Sequence, residues 1–302
     1  MTSLALALAL LAQGPAPAEA ELAANPLYRQ ALERGLVVEG VTVKLPPPTL
    51  REGMTEADRK AAIKAAVDYP IDAFLDDSVN APFRIRTRDV PYPGGVVHVV
   101  DLWFAVHASL DEVDTDALAG KKDEGGSLAR QEVANMSFSG RTLTDAELKA
   151  HGRKAETGLD RYITSRGVLL DKVDVASTNH VVGSKVAGAL VIASKTDTAF
   201  DDDPALANRW KLLARPGDAK KDLGPARPYE GSISYTRTSR ATDEPAVLLI
   251  ESHIAFVEPR AWFSGTAILR SKFGLIAQDQ VRKLRRELAA RRKKGAAVKP
   301  GA

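Results

Sequence analysis

Val96-Val97-His98-Val99-Val100-Asp101-Leu102-Trp103-Phe104-Ala105-Val106-His107-Ala108-Ser109-Leu110 is the stretch on which the fold turns. It is rich in β-branched and aromatic side chains. Pro91-Tyr92-Pro93-Gly94-Gly95 before it is a turn that folds it back along the preceding run, residues 83–90. At period two, Val96, Val100, Leu102, Phe104 and Val106 make an apolar face with His98 set among them. The alternate positions, Asp101, Trp103, His107 and Ser109, are mixed. A long strand of this kind needs a core against its apolar face and an antiparallel neighbour beside it.

The run 246–257 repeats the pattern. Leu248, Ile250, Ile254 and Phe256 share one face, interrupted only by Ser252. Further strand signals lie at 36–45, stopped by Pro46-Pro47-Pro48, at 131–139, at 229–239 and at 265–270. Residues 168–176 and 181–194 read as a hairpin joined at Ser177-Thr178-Asn179.

Helix signals cluster toward the ends of the chain. Asn25-Pro26 opens one helix and Thr55 with Asp58 opens a second, followed by a short turn at 71–75. Thr144 and Glu147 form a capping box stapled by Leu143 and Leu148, and the helix is expected to run to about residue 163. Asp203-Pro204 opens a short helix carrying Leu206 and Trp210. Val281, Leu284 and Leu288 form the apolar stripe of a terminal helix. Short turns imply antiparallel pairing, and terminal helices favour α+β over a doubly wound sheet. The expected fold is therefore α+β: a curved, mainly antiparallel sheet with two short helices near the N-terminus and a long C-terminal helix packed on it.

The chain of 302 residues has no internal repeat, and 25–290 read as a single domain. Residues 1–20 have the layout of a secretory signal peptide. Leu and Ala alone fill 4–12, Gly14 and Pro15 break the run, and Ala18 and Ala20 supply the small-x-small junction, although no base precedes the core. The expected location is outside the cytoplasm: periplasmic, envelope-associated or secreted. Cysteine is absent, which excludes disulfides and a lipoprotein anchor. Residues 282–299 hold nine bases against Glu287, a net +8, so the rest of the chain carries −5 within a total of +3. Residues 291–302 are accordingly expected to be a disordered basic tail. It lacks interleaved aromatics, which argues against nucleic acid and leaves an anionic membrane surface as its possible partner. No segment long enough to cross a bilayer follows the leader.

No catalytic motif emerges, and an enzyme is the less favoured reading. His98 and His107 lie an odd number of residues apart, on opposite strand faces, and cannot share a metal. Glu251 and His253 share a face about 7 Å apart and could form half of a hydrolytic site, but no nucleophile motif completes it. Asp201-Asp202-Asp203 lacks the spacing of a calcium loop. No metal and no cofactor are expected. The isolated polar groups His98 and Ser252, one on each apolar face, are expected to meet each other, a water or a ligand head group. The resulting cavity would be lined by His98, Leu102, Phe104, Ile250, Ser252 and Ile254 beneath the terminal helix, and would hold an apolar small molecule or lipid.

The order of elements resembles the helix-grip plan of START and Bet v 1-like lipid-binding proteins. The ending carries the resemblance: Glu258-Pro259-Arg260-Ala261-Trp262, then Ala267-Ile268-Leu269, then Val281-Arg282-Lys283-Leu284-Arg285-Arg286-Glu287-Leu288. It is similar to the START strand, Trp-containing bend and basic amphipathic helix, except that Phe263-Ser264-Gly265 stands where the bend carries a second Pro. The resemblance implies a curved sheet gripping the last helix over an apolar cavity, with no cofactor and part of 265–272 helical. The competing functions are an envelope-interaction module acting through its basic end and a hydrolase using Glu251 and His253.

Overall fold

The computed structural model describes residues 19–113, 127–133, 136–156, 159–186, 188–214, 224–243, 246–263 and 268–297. Helices α1 (Glu19–Ala24) and α2 (Pro26–Glu33) lead into a small hairpin, β1 (Leu36–Val38) and β2 (Val41–Val43). After α3 (Glu56–Val67) and α4 (Ile71–Phe74) come β3 (Phe83–Tyr92) and β4 (Gly95–His107), then β5 (Ser127–Val133) and β6 (Met136–Thr142). α5 (Asp145–Ala150) precedes β7 (Asp160–Leu169), β8 (Val173–Val186) and β9 (Ala189–Thr196). β10 (Arg209–Leu212), β11 (Arg227–Pro228), β12 (Ser232–Thr242), β13 (Val247–Pro259) and the long α6 (Ile268–Ala297) complete the order.

The large sheet runs β3-β4-β13-β12-β9-β8-β7-β6-β5, with β10 added beside β8 and β11 beside β10. Its pairings are antiparallel. The α+β expectation holds, but the sheet is open and uncurled, so the grip on α6 comes from side chains at two places along the helix. Val281 and Leu288 pack on Phe104, Val106, Leu248 and Ile250, while Leu269 and Phe273 pack among Trp210, Trp262 and Phe263. On the opposite face Tyr28 of α2 and the β1–β2 hairpin cover Val97, Val99, Tyr235 and Val257. Ile63 and Val67 of α3, with Phe74, cover Trp103, Ala105 and Leu249.

Arg285 fastens α6 to the sheet edge. It is buried and donates to the carbonyls of Ala81 (2.5 Å), Ala105 (3.0 Å) and Pro82 (3.2 Å). Burial pushes its guanidinium down to about 10, because the charge is removed from water.

Local chemistry explains where the sequence reading departs from the structure. Ser177-Thr178-Asn179 is the middle of β8, and the reversal before it is made by Leu170 and Asp171, both at positive φ (51° and 55°). Neither residue announces a left-handed turn as glycine would. The Thr144 capping box forms as read, but α5 ends at Ala150 and Gly152 takes φ 64° just beyond it. The strand read at 131–139 is a hairpin, β5 and β6. Trp210 lies in β10, not in a helix. Residues from Ile268 are helical rather than extended, as the START-like ending implies. α6 continues through Ala297, with Arg292 paired to Asp77 at 2.8 Å, while residues 298–302 lie outside the described residues. So do 1–18, which hold nearly all of the leader.

Candidate functional site

The two apolar runs that opened the sequence reading are direct neighbours. β13 pairs with β4 along its whole length, so Ile250 faces Phe104, Ser252 faces Leu102, and Ile254 faces Val100. Followed outward through β12 and β9 and back to β3, the register defines rows of side chains on the face that carries α6. One row is Leu190, Thr238, Ile250, Phe104 and Phe83. The next is Ile192, Thr236, Ser252, Leu102 and Ile85, and the third is Ser194, Ser234, Ile254, Val100 and Thr87. His98 belongs to a fourth row with Phe256 and Asp89.

The rows differ in burial. In the first, Leu190, Thr238, Ile250 and Phe104 are buried under Val281 and Leu288. The fourth abuts Phe273, whose ring lies 5.6 Å from that of His98 and 5.7 Å from that of Phe256. In the two middle rows every side chain is only half-buried, although β13, β12 and β9 lie deep inside the sheet. Ala277, midway between Phe273 and Val281 on the helix stripe, is buried and adds only a methyl group to that stripe. The zone is apolar at Leu102, Val100, Ile254 and Ile192 and polar at a band of hydroxyls. Thr236 donates to Ser252 at 3.0 Å, and Ser194 and Ser234 share a 2.8 Å hydrogen bond.

All six residues expected to line a cavity therefore lie on one face. Leu102, Ser252 and Ile254 border the half-buried zone, while Phe104 and Ile250 belong to the packed row beside it. His98 and Ser252 do not meet. Ser252 is satisfied by Thr236, and His98 is held between Asp89 (Nδ1, 2.8 Å) and Glu258 (Nε2, 2.6 Å). Burial opposes the charged imidazole, yet the two carboxylates outweigh it and raise its pKa above the ordinary histidine value.

Glu251 and His253 sit on the other face, wholly buried, with Nε2 and Oε2 3.6 Å apart. Glu251 accepts from the Thr49 backbone N–H (2.8 Å), and His253 Nδ1 lies 2.7 Å from Asp101. Arg237 approaches Glu251 at 3.9 Å and is clamped by Glu21 through bonds of 2.8 and 3.0 Å. This is a packed polar contact inside a central strand pair, with Trp103 against the imidazole at 5.2 Å. Burial again opposes the charge on His253, and Asp101 and Glu251 again raise its pKa.

Sequence reasoning missed Glu21, Arg237, Asp101 and Arg285 as partners. The available signal was period two: Arg237 shares its strand face with Ile233 and Tyr235, an arginine on an otherwise apolar stripe. Among the described residues no group of three or more His, Asp or Glu side chains could hold a metal ion. Likewise no described helix is long and apolar enough to cross a membrane.

Sheet and covering helices together define an α+β architecture in which a long C-terminal helix packs on a large antiparallel sheet. Among solved structures the chain is similar to the STAR-related lipid transfer protein of Xanthomonas axonopodis, with 11% identity and a TM-score of 0.40 over 68% of this chain and 93% of that one. It is also similar to CalU16 of Micromonospora echinospora, with 11% identity and a TM-score of 0.26 over 72% of this chain and 98% of that one. No family model matches the chain, and no curated protein matches its sequence.

Proposed function

We propose that the protein binds an apolar, lipid-like molecule in a cleft between the sheet and α6. The observation that carries this reading is the half-buried state of the two middle rows on strands interior to the sheet. Side chains there ordinarily close-pack, and a ligand would complete the core. Leu102, Ile254, Val100 and Ile192 would contact its chain, and Ser252, Thr236, Ser234 and Ser194 would hydrogen-bond its polar group. Native mass spectrometry of protein purified from its own host is the test. A co-purifying apolar molecule supports the reading, and a ligand-free protein that takes up no fatty acid or phospholipid on incubation overturns it.

The same proposal places the protein outside the cytoplasm, after cleavage between Ala20 and Glu21. The leader-like composition of 1–20 supports this, and the intact mass of envelope-derived protein tests it. The exposed bases of α6 would bring the carrier to an anionic membrane surface.

A further inference from the structure

A second groove lies on the outer face of the sheet at its β6–β7–β8–β10 end. Val173, Val175, Trp210 and Leu212 turn toward the aromatic cluster at the start of α6, so alternation turns Asp174, Ala176, Arg209 and Lys211 away from it. Across the strands Ser139 stands opposite Arg166, Arg166 opposite Ala176, and Ala176 opposite Arg209. Lys211 stands opposite Asp174. These residues, with Arg141 and Thr164, line a groove of about 790 Å³ that opens to solvent. A hollow of that size matches sites that hold small organic molecules, typically about 300–1,000 Å³.

Its charge stands out against the rest of the molecule. Outside the basic end the chain is net −5, yet four bases converge here. Arg141 is matched by Glu147 at 2.9 and 2.5 Å. Of the other three cations, two share one carboxylate and the third, Arg209, has none among the described residues. Asp174, buried to 6% exposure, accepts from Arg166 at 2.6 and 2.5 Å and holds Lys211 at 3.7 Å. The buried aspartate thus fixes Arg166 and Lys211 in place without neutralising the set, leaving an excess of two positive charges beside the hydroxyls of Ser139 and Thr164.

We infer that this groove is an anion site for a phosphate-bearing organic molecule. Arg209 and the outward donors of Arg166 would hold the phosphate, Lys211 would act as a point charge, and Ser139 and Thr164 would bind the hydroxyls of the attached organic part. The inference is independent of the apolar cleft proposed above, which lies on the opposite face of the sheet.

Calorimetric titration of the full chain at low ionic strength with glycerol 3-phosphate, and separately with phosphatidylcholine vesicles with and without phosphatidylglycerol, tests it. The parent should bind at least one of the two phosphate sources. Binding to the soluble probe would identify a free metabolite, and vesicle binding would identify a lipid head group where the groove changes weaken it further when added to the α6 variant below, since α6 itself can contact vesicles. Arg209→Glu with Lys211→Glu should weaken that binding at least tenfold, and the milder Arg209→Gln with Lys211→Gln should weaken it in the same direction. Both pairs change exposed side chains, so their melting temperatures should stay within a few degrees of the parent. Lys283→Glu with Arg286→Glu, which moves the same charge on α6, should leave binding of the soluble probe intact. Absence of binding by the parent, or an equal loss in the α6 variant and the groove variants, overturns the inference.

Discussion

At the scale of single residues, the energetics concentrate in Glu21 and Arg237. Both side chains are at most 2% exposed, and they meet through two hydrogen bonds. Removing one partner of a buried ion pair strands the other in a low dielectric, at a cost of about 3–5 kcal/mol. Glu21→Ala should therefore lower the unfolding free energy by about that amount in urea titration. The double change Glu21→Ala with Arg237→Met should cost clearly less than Glu21→Ala and Arg237→Met combined. Strict additivity would show that the pair is not coupled. Both buried histidines have pKa values raised by paired carboxylates. A group whose folded pKa lies above its unfolded value, about 6.5 for histidine, stabilises fully below that value. The contribution disappears as pH rises through the elevated folded value. Stability should fall from pH 6 upward through the alkaline range, and His98→Gln should reduce the slope of melting temperature against pH. An unchanged slope in His98→Gln and His253→Gln alike would mean that neither imidazole is charged in the folded protein.

At the scale of elements, the rows across β9, β12, β13, β4 and β3 separate packed positions from open ones. Ile250 is closed in by Val281, Leu288, Leu190 and Phe104, so Ile250→Trp should overpack and destabilise by about 1–3 kcal/mol. Leu102, one row away, is half-buried, so Leu102→Trp should be tolerated and should expel a bound apolar molecule. The pair of melting curves, read with and without co-purified ligand, distinguishes cleft from core, and equal destabilisation would close the cleft. Much of this was legible in the sequence. Alternation named the faces of β4 and β13 correctly, because one-sided burial writes period two into a strand. The capping signals of α2, α3 and α5 also held, since a cap is local chemistry. What failed was long-range or unannounced: the turn at Leu170-Asp171, and the partners of His98 and Arg237. Asp89 lies nine positions from His98, but Glu258 lies 160 away and Glu21 lies 216 from Arg237, and only strand order brings these together.

At the scale of the whole molecule, charge is separated along the chain: residues 282–299 carry net +8 and the rest net −5. The structure divides those bases by task. Arg285 is buried against three carbonyls and Arg292 is bound to Asp77, so both hold α6 in place. Lys283, Arg286, Arg291 and Lys293 are exposed, and Leu275 is 53% exposed farther along the same helix. Each base near an anionic bilayer contributes about 1 kcal/mol, so four give about 4 kcal/mol, roughly a thousandfold in affinity. Replacing Lys283, Arg286, Arg291 and Lys293 with Gln should weaken sedimentation with phosphatidylglycerol-containing vesicles by that order and flatten its salt dependence. The melting temperature should move by no more than a few degrees, because these side chains are solvated in the folded protein. Arg285→Gln should do the reverse. It leaves carbonyls unsatisfied, at about 1–3 kcal/mol for each buried group, and so lowers stability while the exposed bases still bind. If the fourfold variant binds vesicles as tightly as the parent, the basic end is solubilising charge and contact with a membrane must be sought on another surface.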